Sequence, residues 1–190
     1  IVFQGKVFLK PQTFFNILNA HAALIILSCG MSLVMITGGI DISVGGVVAL
    51  VSMSCAVYLD FGGGNVFVSM LLAVAIGLAF GIVQGFLVAY LDIQPFIVTL
   101  ATMYVGRGIV RLYTDSSTIL ITDDVFSYIG SGKLFGVVPI QIIYIVVLCL
   151  VTWFILNRTK FGRHIYAVGT NETIPRSVGV SVEKVKIGVF

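Results

Sequence analysis

"MSLVMITGGIDISVGGVVALV", residues 31–51, is apolar enough for a membrane yet broken by two glycine pairs around a single acid, Asp41. A soluble core element has no need of the pairs, and an unbroken lipid-facing helix would avoid the carboxylate. The solvent in which the chain folds decides the reading. Apolar residues make up 58% of the sequence and charged residues only 10%, against roughly 25% charged in a soluble globular domain. Mean hydropathy is +1.12. A bilayer core about 30 Å thick takes about 20 apolar residues per helical span, and several segments supply them. Nothing resembles a cleavable signal peptide. The expectation is an all-α, polytopic membrane protein: a helical bundle with one broken or re-entrant element.

Working outward, the apolar runs predict spans over 14–37, 66–91, 95–113 and 138–156. Thr13 or Asn16 is placed to start the first, and Pro95 opens the third. Residues 44–59 form a shorter run that crosses only if neighbouring backbone continues it, and 186–190 begin a further run. The chain opens on Ile1 and stops inside that last run, so a single membrane domain over 1–190, part of a longer protein, is expected.

The loops set the orientation. Arg158, Lys160, Arg163, Arg176, Lys184 and Lys186 are six of the eleven Lys and Arg. In a membrane protein such a cluster marks a cytoplasmic loop rather than a nucleic-acid surface. Counting back, 114–137 and 60–65 lie outside, while 91–95 and the glycine break at 38–46 lie toward the inside. The outer loops hold Asp60, Asp115, Asp123 and Asp124 beside Lys133 alone, which agrees.

Asp41 or Ser43 is expected to cap the helix from Val44 by accepting a hydrogen bond from a first-turn amide. Irregular backbone at membrane depth survives only where protein or a water-filled cavity satisfies it. Gly38, Gly39, Gly45 and Gly46 therefore belong beside the translocation route or its support. In 66–91, Gly77, Gly81 and Gly85 fall at a spacing of four, a small-residue stripe that lets helices approach closely in lipid. Arg107 and Arg111 share one helix face. Arg111 can snorkel to the headgroups, whereas the deeper Arg107 is expected to pair with an acid or with carbonyls, or to face the route. Gln84 and Gln94 are open to the same two readings.

Cys29, Cys55 and Cys149 each stand alone in an apolar run, without the spacing of a metal site or disulfide framework, and read as small packing residues. "GSGK" (130–133) fails as a phosphate loop, because Ser127 and Leu134 stand where glycine and Ser/Thr are needed. His21 and His164 belong to no hydrolase or metalloprotease motif. No enzyme, catalytic group, metal site or cofactor of the chain's own is expected.

Four separated motifs, "GMSLVMITGGIDISVGGVVAL", "QGFLVAYLDIQPFIVTLATM", "GSGKLFGVVPI" and "RTKFGRHIYAVGTNE", occur in this order. Together they closely resemble the permease subunits of ribose- and monosaccharide-type ABC importers, over essentially the whole chain. The resemblance implies a bacterial cytoplasmic-membrane protein in which a second permease copy completes the channel, ATPase subunits that bind the ATP dock inside, and an extracytoplasmic sugar-binding protein delivers the cargo. It also implies that 161–186 is a cytoplasmic coupling loop with a short helix, contacting the ATPase through residues such as Phe161, Arg163, Glu172 and Arg176. Gly162 is then expected to turn the chain out of the membrane, Gly169 and Asn171 to bend it into the short helix, and Gly179 to end that helix. Family members commonly carry two alanines where Ile174 and Pro175 stand. Proline is tolerated in the first turn of a helix but not its interior, so the short helix should begin near Thr173 or Ile174. The alternative class, a secondary transporter or channel for a small polar solute, would usually show inverted repeats and mid-helix acids. No repeat is visible, and only Asp41 approaches such an acid. The sequence does not specify which sugar.

Overall fold

The computed structural model describes residues 11–115, 117, 119, 121, 123–134, 136 and 138–190. Positions 1–10 of the expected domain lie outside these residues. The described chain forms helices α1 (Pro11–Ile36), α2 (Val44–Gly62), α3 (Val66–Tyr90), α4 (Pro95–Thr114), α5 (Asp124–Ser131) and α6 (Ile140–Arg158). Three shorter ones follow, α7 (Lys160–Thr170), α8 (Thr173–Ser177) and α9 (Val182–Val189). Between α5 and α6 a small antiparallel hairpin, β1 (Lys133–Leu134) and β2 (Val138–Pro139), adds strand structure that the apolar pattern does not announce. By length and composition α1, α3, α4 and α6 can each cross a membrane. The protein is a polytopic helical membrane protein.

Local chemistry sets the helix ends. Thr13 and Asn16 lie within α1, whose first described residue is Pro11. The Asn65 side chain caps α3 by accepting from the Phe67 amide at 2.8 Å. α2 outruns the expected 44–59 and ends at Gly63, whose φ of 55° is a left-handed helix stop. α9 starts at Val182, four residues ahead of the expected run at 186.

α2 packs against α3 and α4, which also touch each other, and α9 lies along α3. α1 pairs with α6. At that contact the free thiols of Cys29 and Cys149 come to 3.6 Å. α9 also meets α1 and α7, so it ties the two helix groups together at one end. There Val34 of α1, Ile165 and Val168 of α7, and Val182, Val185 and Val189 of α9 form a closed apolar core. Burying each such side chain contributes about 1.5–3 kcal/mol, enough to fix the short helices firmly to the ends of the long ones. Elsewhere the long helices present apolar side chains outward, such as Phe67, Leu71 and Leu78 on α3 and Leu150, Trp153 and Phe154 on α6. That is the surface of a chain solvated by lipid or further protein.

Candidate functional site

The glycine break begins where α1 stops. Gly39 N–H donates to the Val34 carbonyl at 3.1 Å and Gly38 N–H to that of Met35 at 3.0 Å. With Gly38 at φ 80° this is a Schellman stop, and only glycine takes that backbone without strain. The chain then rises beside α4, where the fully buried Thr99 hydroxyl donates to the Ile40 carbonyl at 3.1 Å. The Asp41 carboxylate accepts from the Ser43 amide at 2.8 Å and the Ser43 hydroxyl at 2.6 Å. Neither expected side-chain cap forms: Ser43, at the N-cap position, makes no capping bond, and Asp41 accepts only from the buried Ser43, bracing the approach to α2 rather than a first-turn amide. Gly46 sits against α4: a Cβ there would lie 2.5 Å from the Met103 carbonyl oxygen, and one on Gly106 would lie 2.8 Å from the Gly46 oxygen. Gly45 faces outward beside Arg107, whose guanidinium comes within 3.6 Å of where a Gly45 Cβ would stand. Arg107 is exposed on this chain and makes no ion pair or hydrogen bond among the described residues. The expected acid or carbonyl partner is thus not among them: the guanidinium lies along the outer side of α2, where Gly45 has no side chain to pair with it.

On α3, Gln84 is buried and donates to the Thr102 hydroxyl of α4 at 2.8 Å. Gly85 and Gly81 meet α9: added Cβ atoms would lie 2.7 Å from the Ile187 Cα and 2.5 Å from the Phe190 carbonyl oxygen. Gly77 has open space around it. The small-residue stripe is occupied at two of its three positions, and its partner is the short α9.

After α6 the chain turns at Thr159, whose hydroxyl accepts the Gly162 amide at 3.1 Å and so caps α7. This corrects the role expected of Gly162. It lies inside α7, pressed against the carbonyls of Ile155 and Leu156, where a side chain would collide. Gly169 is corrected in the same way: it is helical, and its missing Cβ makes room for the Ile36 carbonyl at the end of α1. The bend falls at Asn171, whose side chain accepts the Thr173 amide at 2.8 Å and launches α8. Gly179, at φ 85°, ends α8 in a second Schellman stop, with Val180 N–H donating to the Pro175 carbonyl at 2.9 Å. Phe161 lies against the apolar core, and Arg163 is exposed without an ion pair among the described residues.

Two ion pairs lock the returning chain to α9, Glu172 to Lys186 at 2.8 Å and Arg176 to Glu183 at 2.6 Å. The Glu183 carboxyl is held below its usual range, first by the amide at the start of its own helix. Partial desolvation opposes this, and Arg176, Ser181 and Lys186 reinforce it. The glycine break, the α3–α4 turn and the chain around Glu172 and Lys186 thus meet at one end of the molecule, around a cavity of about 230 Å³. Asp92, Gln94 and Lys186 line that cavity, and of these the sequence points only to Gln94, which is open to the same readings as Gln84. The signal for Asp92 is its loop position before Pro95; Thr99 and Gly106 carry none beyond their small size.

The model of one protein family matches residues 13–190. The chain belongs to the branched-chain amino acid transport system / permease component family. Among its relatives are the ribose import permease protein RbsC of Escherichia coli K12, 38% identical, and the galactofuranose transporter permease protein YtfT of the same strain, 36% identical. The fructose import permease protein FruF of Bifidobacterium longum is 33% identical. The matches cover 96%, 93% and 92% of this chain and 58%, 50% and 50% of those proteins, so the chain spans little more than half their length. No solved structure matches the chain.

Proposed function

We propose that this chain is the membrane-spanning part of an ABC importer that moves a monosaccharide across the bacterial cytoplasmic membrane. Similarity to the ribose permease over 96% of the chain carries the reading. The geometry gives it a mechanism. α8 is a short rigid element at the inner end, with Ile174 exposed on it and Val178 exposed just past its end, and Glu172 and Arg176 pin it to α9 by ion pairs. α7 presses through Gly169 on the last turn of α1, and α1 leads directly into the glycine break. A push on α8 by an ATPase subunit therefore reaches the break through packed backbone rather than through a flexible loop. Asp41 and the Gly46–Gly106 contact keep α2 aligned while the break moves. A second permease copy completes the route, and an extracytoplasmic binding protein selects the sugar.

The test is uptake into proteoliposomes holding the full complex. ATP, the ATPase and the binding protein should each be required. Uptake driven by a proton or sodium gradient without ATP would assign the chain to a secondary transporter instead.

A further inference from the structure

The cavity at the inner end is walled on three sides by elements that the coupling segment can move. One wall is the glycine break at Thr37–Gly39, the second is the turn between α3 and α4, and the third is the corner formed by Glu172 and Lys186. Water occupies about 30 Å³ per molecule in the liquid, so the space holds several waters. It lies below the ~300 Å³ at which drug-sized sites begin, which suits a small solute.

Its chemistry is selective. Asp92 and Gln94 line it, and neither side chain has an ion pair or hydrogen bond among the described residues. Asp92, at φ 51°, stands just past Leu91, the C-cap of α3, a helix-end position where aspartate takes the left-handed backbone more readily than most residues, and both Asp92 and Gln94 are exposed. A hydroxyl both donates and accepts, a carboxylate only accepts, and an amide does both. Asp92 and Gln94 together therefore complement neighbouring hydroxyls, and the Phe190 ring supplies an apolar wall for the C–H face of a sugar. The Glu172–Lys186 ion pair crosses the same cavity, and Glu172 sits at the corner between α7 and α8, where movement of α8 would separate the pair.

We propose that this cavity is the cytoplasmic exit site of the solute route, that it takes a small neutral polyhydroxylated solute through Asp92 and Gln94, and that the Glu172–Lys186 pair closes it. The proposal rests on the permease reading. Opening then follows from the geometry: a displacement of α8 parts Glu172 from Lys186 while α7 shifts Ile36, so the gate and the break respond to one movement.

The experiment uses the full complex in inside-out vesicles, with Cys29, Cys55 and Cys149 replaced by Ala and a single reporter, Ile93→Cys, which lines the cavity without being one of the proposed solute contacts. A water-soluble methanethiosulfonate labels the reporter with and without ribose, fructose or galactofuranose, each also tested for ATP-dependent uptake. The sugar that is taken up should slow labelling about tenfold at ten times its Kd, because protection scales as 1 + [L]/Kd. A second reporter, Val178→Cys just past the end of α8 and outside the cavity, should label at the same rate with or without sugar. Lys186→Gln should speed labelling of Ile93→Cys by removing the closing pair, and the near-isosteric Asp92→Asn should weaken the sugar's protection. Intact uptake with no protection at Ile93→Cys, or no acceleration by Lys186→Gln, overturns the exit site and leaves the permease reading standing. If no sugar is taken up by the unmodified complex, the permease reading itself fails, and the exit site with it.

Discussion

Replacing Gly81 and Gly77 by alanine in turn compares two positions one helical turn apart on α3 that differ only in what faces them. At Gly81 the new Cβ would stand 2.5 Å from the carbonyl oxygen of Phe190 and 3.0 Å from its carbonyl carbon, whereas ordinary contact begins near 3.4 Å. The obstacle is backbone, so it cannot rotate away. α3 and α9 must separate by about 0.9 Å, the difference between the first and last of these distances, and a gap of that order forfeits a quarter to a half of each neighbouring dispersion contact. Overpacking of this kind costs about 1–3 kcal/mol. At Gly77 nothing lies within 4 Å. Both variants gain the same helix propensity, about 1 kcal/mol, which cancels when they are compared with each other. Gly81→Ala should therefore be less stable than Gly77→Ala by about 1–3 kcal/mol. Denaturant unfolding of the purified protein in detergent micelles reads the difference. Equal midpoints for the two variants would refute the close packing of α9 on α3.

Asp41→Asn keeps an oxygen for the Ser43 amide and should retain most of the transport rate, whereas Asp41→Leu leaves the Ser43 amide and buried hydroxyl without their partner and should cost about 1–3 kcal/mol of stability together with uptake; equal loss in both would point to a role for the charge itself. Gly179→Val forces a β-branched residue into a left-handed backbone at a cost of about 1–2 kcal/mol, so the complex should insert normally but lose substrate-stimulated ATPase activity. Glu183 has a folded pKa below its unfolded value, so its stabilising contribution is present above the unfolded pKa and is lost as pH falls through the lowered one. Amide exchange in α8 should accordingly rise as the solution is acidified below the usual carboxylate range, and Glu183→Gln should remove most of that dependence.

The long helices were legible because length and apolarity alone specify a span; α3, α4 and α6 lie within two residues of the runs that announce them. The glycine break was legible for a related reason, since paired glycines around an acid have few uses inside a membrane. The misread residues are those whose role depends on a distant neighbour. Gly162 and Gly169 look like turn residues, yet they are helical and small because the carbonyls of Ile155, Leu156 and Ile36 come close. Nothing local distinguishes a glycine needed for conformation from one needed for space. Gly38 and Gly179, both at positive φ, are of the first kind. The ion pairs from α8 to α9 join residues on different helices, and the cavity residue Asp92 acquires its surroundings only when three separate segments converge. Arg107 remains without an ionic partner among the described residues, exposed beside Gly45 of α2.

The central claim is that α7–α9 form the inner surface through which an ATPase moves the glycine break. Cysteine placed at Ile174, which is 64% exposed on α8, tests it directly by cross-linking in the assembled complex. The account predicts a cross-link to the ATPase subunit that changes in yield when ATP is bound, together with labelling by an impermeant thiol reagent only from the cytoplasmic side. Labelling of Ile174→Cys from the outer side, with no cross-link to the ATPase, would contradict it.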